Sequence, residues 1–493
     1  MTTNNKPLPS SRAWLHGGLW SWAQLAVGVL ATVVQARLAV TTLSAAQSGI
    51  WFVMLSFAGL IALMDFGLNA TLARELAFDE DPAQRSRLMV TAERTLCRAA
   101  VIAWLILTLL GGLYLHLIAP NTMRLEVIRA WGVFVVGAGF ALHANAASSA
   151  LYGTGQLSAD RQIRIAAQLI GLVFAYAAIT LEPSLRALCI AWTLQNIVLW
   201  GLEWRAVAVR VPRFAAQFDA VLSKRLLNLG LRWWAMAIGG YLILNTDNLV
   251  IAATLGAAQV SDYALLARIS TILQPLALVF VTSAAPLISR LSVEGRNTEM
   301  QRILEQQIRL ALLLVSLAGA IIAAAPEALL TIWVGPGHFV GYPILTVFLV
   351  MLTLEVHHVA HAITVMATGK LPFAAWAIGS GVLNIVFSLL LVQHLGLLGV
   401  ALGTMLAQLL TNNWFTPIFT LRSFGIDWLR YVRMVLLPAL LTGASLYAVA
   451  QLARAASQNW NALGSVIAVT LTTTSVAMLV FVITSSRFRR KIA

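Results

Sequence analysis

The chain has 493 residues, 59% of them hydrophobic and only 11% charged, with a mean hydropathy of +0.82. That composition excludes an ordinary soluble globular domain. The net charge of +14 is carried by cations gathered in short polar breaks, a topology signal with anionic lipid headgroups as the default partner and no nucleic acid.

Apolar runs of about 20 residues, each long enough to cross a bilayer as a helix, recur along the whole chain. They lack the alternation of a transmembrane β-barrel, so the expected class is an all-α polytopic membrane protein with about 14 transmembrane helices. The first eight lie at about 14–35, 48–72, 97–118, 125–150, 162–181, 185–204, 227–249 and 260–286. Six more follow at about 308–330, 343–367, 373–393, 397–420, 432–452 and 462–484. The polar start "MTTNNKPLPSSR" reads as the inner-facing approach to a retained first helix, not as a cleavable signal. With the N-terminus cytoplasmic, the even-numbered turns and the tail "RFRRKIA" collect most of the arginines, the positive-inside pattern. Both termini are then cytoplasmic. Cys97 and Cys189 build neither a disulfide framework nor a zinc site.

Internal repeats organise these helices. "LSAAQSGIW" at 43–51 resembles "LGAAQVSDY" at 255–263, and "TGQL" at 154–157 resembles "TGKL" at 368–371. Trp22 pairs with Trp234 at nearly the same offset. Six helices lie between the copies, an even number, so the two lobes have the same orientation, the parallel-repeat case. The expected domains are an N-lobe at 1–205, a basic amphipathic linker at 206–226, a C-lobe at 227–421, and two additional helices with a basic tail at 422–493. Gly155 and Gly369 are expected to make equivalent tight reversals between the fourth and fifth and the tenth and eleventh helices.

No phosphate loop is present, because "TGKL" lacks the upstream glycine and the hydroxyl residue after lysine. Driving energy therefore falls to an ion gradient, the membrane potential or the substrate's own gradient. Charged side chains inside a bilayer are costly and point to function. The candidates are Arg37, Asp65, Arg232, Asp247, Arg268 and Glu355. Arg37 and Arg232 sit near helix ends, where snorkelling to headgroups is the competing reading. Asp65 in "LMDFGLNA" is either functional or the pin of a helix kink, and Asp247 in "LILNTDNLVIAA" faces either a cavity or the outer surface. "EVHHVAH" sets Glu355, His357, His358 and His361 on overlapping helix faces. The stripe suits a hydrogen-bonded or proton-carrying cavity lining, or plain helix-to-helix bonding; no metal or cofactor is expected there. Gly399 and Gly403 form a GxxxG close-packing signal.

The stretch "ARLAVTTLSAAQSGIWFVMLSFAGLIALMDFGLNATLAREL", with Arg37, Gly49, Asp65, Gly67, Arg74 and Glu75, resembles the polysaccharide-transporter (Wzx-type flippase) branch of the multidrug/oligosaccharidyl-lipid/polysaccharide exporter superfamily. "NTDNLVIAATLGAAQVSDYALLARIS", with Asp247, Gly256, Tyr263 and Arg268, resembles its seventh and eighth helices, although Ser261 and Asp262 replace the usual glycine before the tyrosine. The resemblance implies a transporter in the bacterial inner membrane, not an enzyme. It would flip an undecaprenyl-diphosphate-linked oligosaccharide for O-antigen, capsule or exopolysaccharide synthesis. Arg37, Arg232 and Arg268 would meet the diphosphate. Asp247 or Glu355 would bind a coupling H+ or Na+, with Asp65 and the histidines coupling or gating. It also implies a polyprenyl-tail groove at helices thirteen and fourteen, and a polysaccharide polymerase complex as partner. The alternatives are a peptidoglycan lipid-precursor flippase, a multidrug cation antiporter of the same superfamily, and a membrane polysaccharide polymerase or ligase. The last would normally need a long outer loop.

Overall fold

In a computed structural model, the protein is described over residues 11–78, 81–211 and 216–490, and all regular structure among them is helical. The first half runs α1 (Ser11–Thr42), α2 (Ala45–Ile61), a tight turn at Ala62–Asp65, α3 (Leu68–Phe78), α4 (Pro82–Ile118), α5 (Arg124–Gly153), α6 (Leu157–Leu181) and α7 (Leu185–Arg210). There follow α8 (Ala220–Leu244), α9 (Thr246–Thr254), α10 (Ala257–Ala277), α11 (Val279–Val293), α12 (Asn297–Ala324), α13 (Pro326–Val334) and α14 (Tyr342–Ala367). The chain closes with α15 (Ala374–Leu395), α16 (Leu397–Leu410), α17 (Asn412–Ser423), α18 (Trp428–Tyr431), α19 (Leu437–Ala456) and α20 (Ala462–Arg490).

Eleven of the described helical segments are long and apolar enough to cross a membrane, and up to thirteen if the pairs α8–α9 and α10–α11, bent by 42° and 41°, each count as one span. The twelfth expected span, 397–420, is broken. α16 and α17 meet at Thr411, and each is too short to span alone. Pro275 inside α10 explains one bend, since it removes a backbone donor just before the α10–α11 break.

Local chemistry sets the ends. Asp81 caps α4 through the Ala83 amide at 3.0 Å with Pro82 in the first turn, and Ser184 accepts from the Ala187 amide at 3.2 Å to start α7. The two TG turns have the build expected of equivalents. Gly155 and Gly369 adopt φ of +80° and +83°, where only glycine is unstrained.

The chain divides into two compact units, Met1–Tyr241 with Leu255–Ser261, and Leu242–Thr254 with Asp262–Ala493. In lipid, leucine burial gains little, so close packing and interhelical hydrogen bonds hold helices together. The first unit has a core in which α3, α4, α5 and the end of α7 meet, with Leu68, Leu76, Ala147, Leu151 and Val207 fully or nearly fully buried. Gly49 on α2 lets the start of α10 approach: an added Cβ would lie 1.7 Å from the Ala257 carbonyl oxygen. The second unit centres on α12 and α14, and α19 and α20 pack on α12 through Ala320, Ala324, Leu446, Ala450, Val469 and Ala477.

Candidate functional site

The break between α8 and α9 is where the second unit concentrates its polar groups. Ending α8 at Leu244 frees backbone carbonyls, and in a membrane interior these need a donor. Asn384 on α15 supplies it, with Nδ2 donating to Leu242 O at 3.1 Å and Ile243 O at 3.3 Å. Asp247 then sits in the first turn of α9, where the exposed amide end of a helix favours an anion. Its carboxylate accepts from Tyr263 Oη at 2.7 Å and Asn384 Nδ2 at 3.3 Å. Thr404 Oγ1 lies 3.0 and 3.1 Å from its two oxygens. All three partners are neutral, so among the described residues the carboxylate is hydrogen-bonded and not ion-paired.

Hydrogen atoms are scarce in this cluster. Thr404 Oγ1 is within 3.3 Å of both Asp247 oxygens, of Asn384 Oδ1 at 2.8 Å and of the Val400 carbonyl, yet it has one hydrogen to give. Ser388 Oγ, in turn, faces Asn384 Oδ1 at 3.1 Å and Val400 O at 3.3 Å. An oxygen-rich cluster short of hydrogens suits a proton or a small hard cation.

α15 and α16 bring their part of this set together through glycine. A Cβ on Gly403 would lie 2.5 Å from Ser388 N, and one on Gly399 2.3 Å from Leu391 O. The GxxxG signal is thus the contact that holds Asn384, Ser388 and Thr404 in one place.

Asp65 closes the turn before α3. Its Oδ1 accepts from Gly67 N at 2.8 Å and its Oδ2 from Asn69 N at 3.3 Å, while Phe66 takes a left-handed φ of +51°. α8 lies against this break, with Trp234 Nε1 donating to Leu63 O at 2.6 Å and the Phe66 and Trp234 ring centroids 5.2 Å apart. Of the two sequence readings for Asp65, the geometry observed is that of a kink and cap. Trp234 likewise is a packing residue, whereas Trp22, its repeat partner, is 46% exposed.

The "EVHHVAH" stripe lies on α14 and splits into two faces. Gln274 Nε2 donates to Glu355 Oε1 at 3.3 Å, and His358 Nδ1 stands 3.5 Å from Glu355 Oε2. On the other face His357 and His361 both direct Nε2 at the Tyr431 hydroxyl, at 2.8 and 2.9 Å. One phenol has one hydrogen, so one imidazole accepts from Tyr431 and the other donates to it. Among the described residues no group of three or more His, Cys, Asp or Glu is placed to hold a metal.

Of the three arginines expected to meet an anion, Arg37 is exposed on the last turns of α1 and Arg268 is half-buried within α10. The side chain of Arg232 lies outside the described residues. Asp247 and the histidine stripe share no hydrogen bond. Sequence reasoning missed Asn384, Ser388, Thr404 and Tyr431; the only local signal was Asn384 and Ser388 four apart in an otherwise apolar helix.

No protein-family model matches the sequence. The fold is that of the MurJ and MATE transporters. A structure of the lipid II flippase MurJ in an inward closed conformation matches with a TM-score of 0.74 at 12% identity, over 97% of this chain and 99% of the other. An inward-facing multidrug resistance MATE transporter of the MOP superfamily matches with a TM-score of 0.59 at 16% identity, over 82% and 95%. A MOP superfamily transporter from Pyrococcus furiosus matches at 0.55 and 16% identity, over 84% and 95%. In sequence, the chain is 28% identical over 207 residues to the uncharacterized membrane protein EpsK of Bacillus subtilis (strain 168), a match spanning 41% of each chain.

Proposed function

We propose that this chain is a flippase that moves an undecaprenyl-diphosphate-linked oligosaccharide across a bacterial inner membrane for polysaccharide assembly. The observation that carries the reading is the extent of the MurJ likeness. At 97% of the chain it takes in α19 and α20, whereas the MATE likeness covers 82%. A carrier of a lipid with a long tail has a use for that pair beside two six-helix lobes. The polysaccharide branch is supported by the wording of residues 36–76 and 245–270, with Arg37, Asp65, Asp247 and Arg268 at the matching places.

In this reading transport is by alternating access of two six-helix lobes, 1–205 and 227–421, joined by a linker at 206–226, with both termini cytoplasmic. Arg37, Arg232 and Arg268 hold the diphosphate, and residues 422–493 guide the tail. Asp247 carries the coupling ion, H+ or Na+. The oxygen-rich, hydrogen-poor set around it supports that role. Glu355, His357, His358, His361 and Asp65 hold the helices that gate the path. Anionic lipids attend the basic turns, and a polysaccharide polymerase complex receives the product.

The second reading is a peptidoglycan lipid-precursor flippase, favoured by the named substrate of the MurJ structure. The experiment that separates them is lipid analysis of cells lacking the chain. Lipid-linked oligosaccharide is expected to accumulate on the inner leaflet, with rescue by the wild-type chain but not by Arg268→Ala or Asp247→Ala. Accumulation of the peptidoglycan precursor selects the second reading, and no change in either lipid sinks both.

A further inference from the structure

A second group of buried ionisable side chains lies in the first unit, at the arginine-rich TG turn between α5 and α6. The turn is closed by Gln156 N donating to Leu151 O at 2.8 Å, which folds the first turn of α6 back against the last turns of α5. Ser148 Oγ on α5 thereby donates to Asp160 Oδ1 on α6, and Asp160 is 1% exposed. Arg164 Nε donates to the same oxygen at 3.2 Å, and its Nη2 donates to Asn145 Oδ1 at 3.2 Å. Arg161 Nη1 lies 3.5 Å from Asp160 Oδ2 and donates to Gln24 Oε1 on α1 at 2.8 Å.

α7 adds Glu203 to this cluster, and Glu203 is not accommodated as an anion. It is 0% exposed and neither carboxyl oxygen accepts a hydrogen bond. The nearest cationic group is Arg164 Nε at 3.7 Å, whose one hydrogen is already given to Asp160. The Asp160 and Glu203 carboxyls thus flank one guanidinium nitrogen, with Asp160 Oδ1 at 3.2 Å and Glu203 Oε1 at 3.7 Å from Arg164 Nε. Two desolvated carboxyl groups drawn to one guanidinium N–H repel each other, and a proton on the pair relieves that repulsion and removes the buried charge that accepts no hydrogen bond.

We propose that Asp160 and Glu203 form a one-proton binding site in the first unit, distinct from the Asp247 cluster. The groups that face it are Asn145 and Ser148 on α5 and Arg161 and Arg164 on α6, with Gln24 on α1 reached through Arg161. The turn itself does not require this chemistry. The 214-residue offset that carries Gly155 to Gly369 carries Asp160, Arg161 and Arg164 to Ala374, Ala375 and Ile378, and the second turn has the same glycine geometry without them. The cluster therefore occurs in one repeat only, as expected of a site and not of a fold element. It stands on the geometry of the carboxyl pair and is independent of which lipid the chain carries.

The test is infrared difference spectroscopy of the purified full-length protein at neutral pH, wild type against Glu203→Gln and against Asp160→Asn. Both substitutions are near-isosteric, so if one variant is lost to misfolding the other still decides. The wild type is expected to show the carbonyl stretch of one protonated carboxylic acid that each variant lacks. In Asp160→Asn the loss arises because Arg164 is freed to pair with an ionised Glu203. Retention of the full acid band in either variant overturns the proposal. Lipid transport need not be measured for that outcome, so its failure is separable from failure of the flippase reading.

Discussion

Ser48 and Ser261 join hydroxyl to hydroxyl at 3.0 Å across 213 residues of sequence. Each lies in one copy of the repeated outer motif, "LSAAQSGIW" or "LGAAQVSDY", so this contact links the two copies by corresponding segments. It exists because Gly49, the next residue, has no Cβ to strike the Ala257 carbonyl.

Gly49→Ala is accordingly expected to push α2 away from the start of α10. Overpacking a close contact costs about 1–3 kcal/mol, read as a lower unfolding temperature in detergent. Ser48→Ala, which removes a hydrogen bond and adds no bulk, is expected to do less than Gly49→Ala.

Substitution at Asp247 separates packing from coupling. Asp247→Asn keeps the shape and removes the charge. Transport is expected to fall by about five- to 150-fold, the equivalent of the 1–3 kcal/mol typical of the coupling between two ligands on one protein. Tyr263→Phe leaves the carboxylate with Asn384 and Thr404 and is expected to cost less. A Tyr263→Phe loss as large as that of Asp247→Asn would remove the aspartate from its assigned role.

Tyr431→Phe leaves two buried imidazole nitrogens facing a hydrocarbon edge. The expected destabilisation is about 1–3 kcal/mol, measured by thermal unfolding. Because Tyr431 precedes α19, proteolysis of the α18–α19 segment is expected to quicken in the same variant. His357→Ala removes only one of the two rings and is expected to have a smaller effect.

Outside the membrane-spanning helices, Asp219 supplies a pH-dependent cap for α8. The Leu222 and Val221 amides, with the Arg87 guanidinium 2.6 Å away, hold its carboxyl below its ordinary value of 3.8. A group whose folded value is depressed adds stability above the unfolded value and loses it as pH falls through the folded one. The protection of the Val221 and Leu222 amides from hydrogen exchange, taken relative to the intrinsic rate at each pH, is therefore expected to stay constant at neutral and mildly acidic pH and to fall only below 3.8. Asp219→Asn is expected to weaken the contact with Arg87 at every pH at which Asp219 is ionised, and to abolish the pH dependence.

The architecture was readable because its signals are local. Twenty apolar residues span a bilayer wherever they occur, and a glycine after a long helix marks a reversal; both TG turns fold as their sequence says. Asp247 was conspicuous for the same reason, as a charge in an apolar run. Its partners were not, because Asn384 and Thr404 are neutral residues that membrane helices carry routinely, and only packing of α9, α10, α15 and α16 makes them converge. The histidine stripe was visible while its partner Tyr431, 70 residues beyond His361, was not. Asp160 was read past altogether, since a carboxylate among arginines in a turn looks solvated until Ser148 and α7 close over it. The break at Thr411 was likewise hidden in a run that hydropathy alone reads as continuous.

The glycine contact between α15 and α16 gives the Asp247 cluster two mechanically unequal halves. Asn384, Ser388 and Thr404 ride on a pair of helices pressed backbone to backbone, so they keep their spacing like the jaws of a fixed wrench. Asp247 and Tyr263 arrive on α9 and α10, one beginning just beyond a 42° bend and the other ending at a 41° bend. A small straightening at either bend changes the grip on whatever the jaws hold, while the jaws themselves cannot follow.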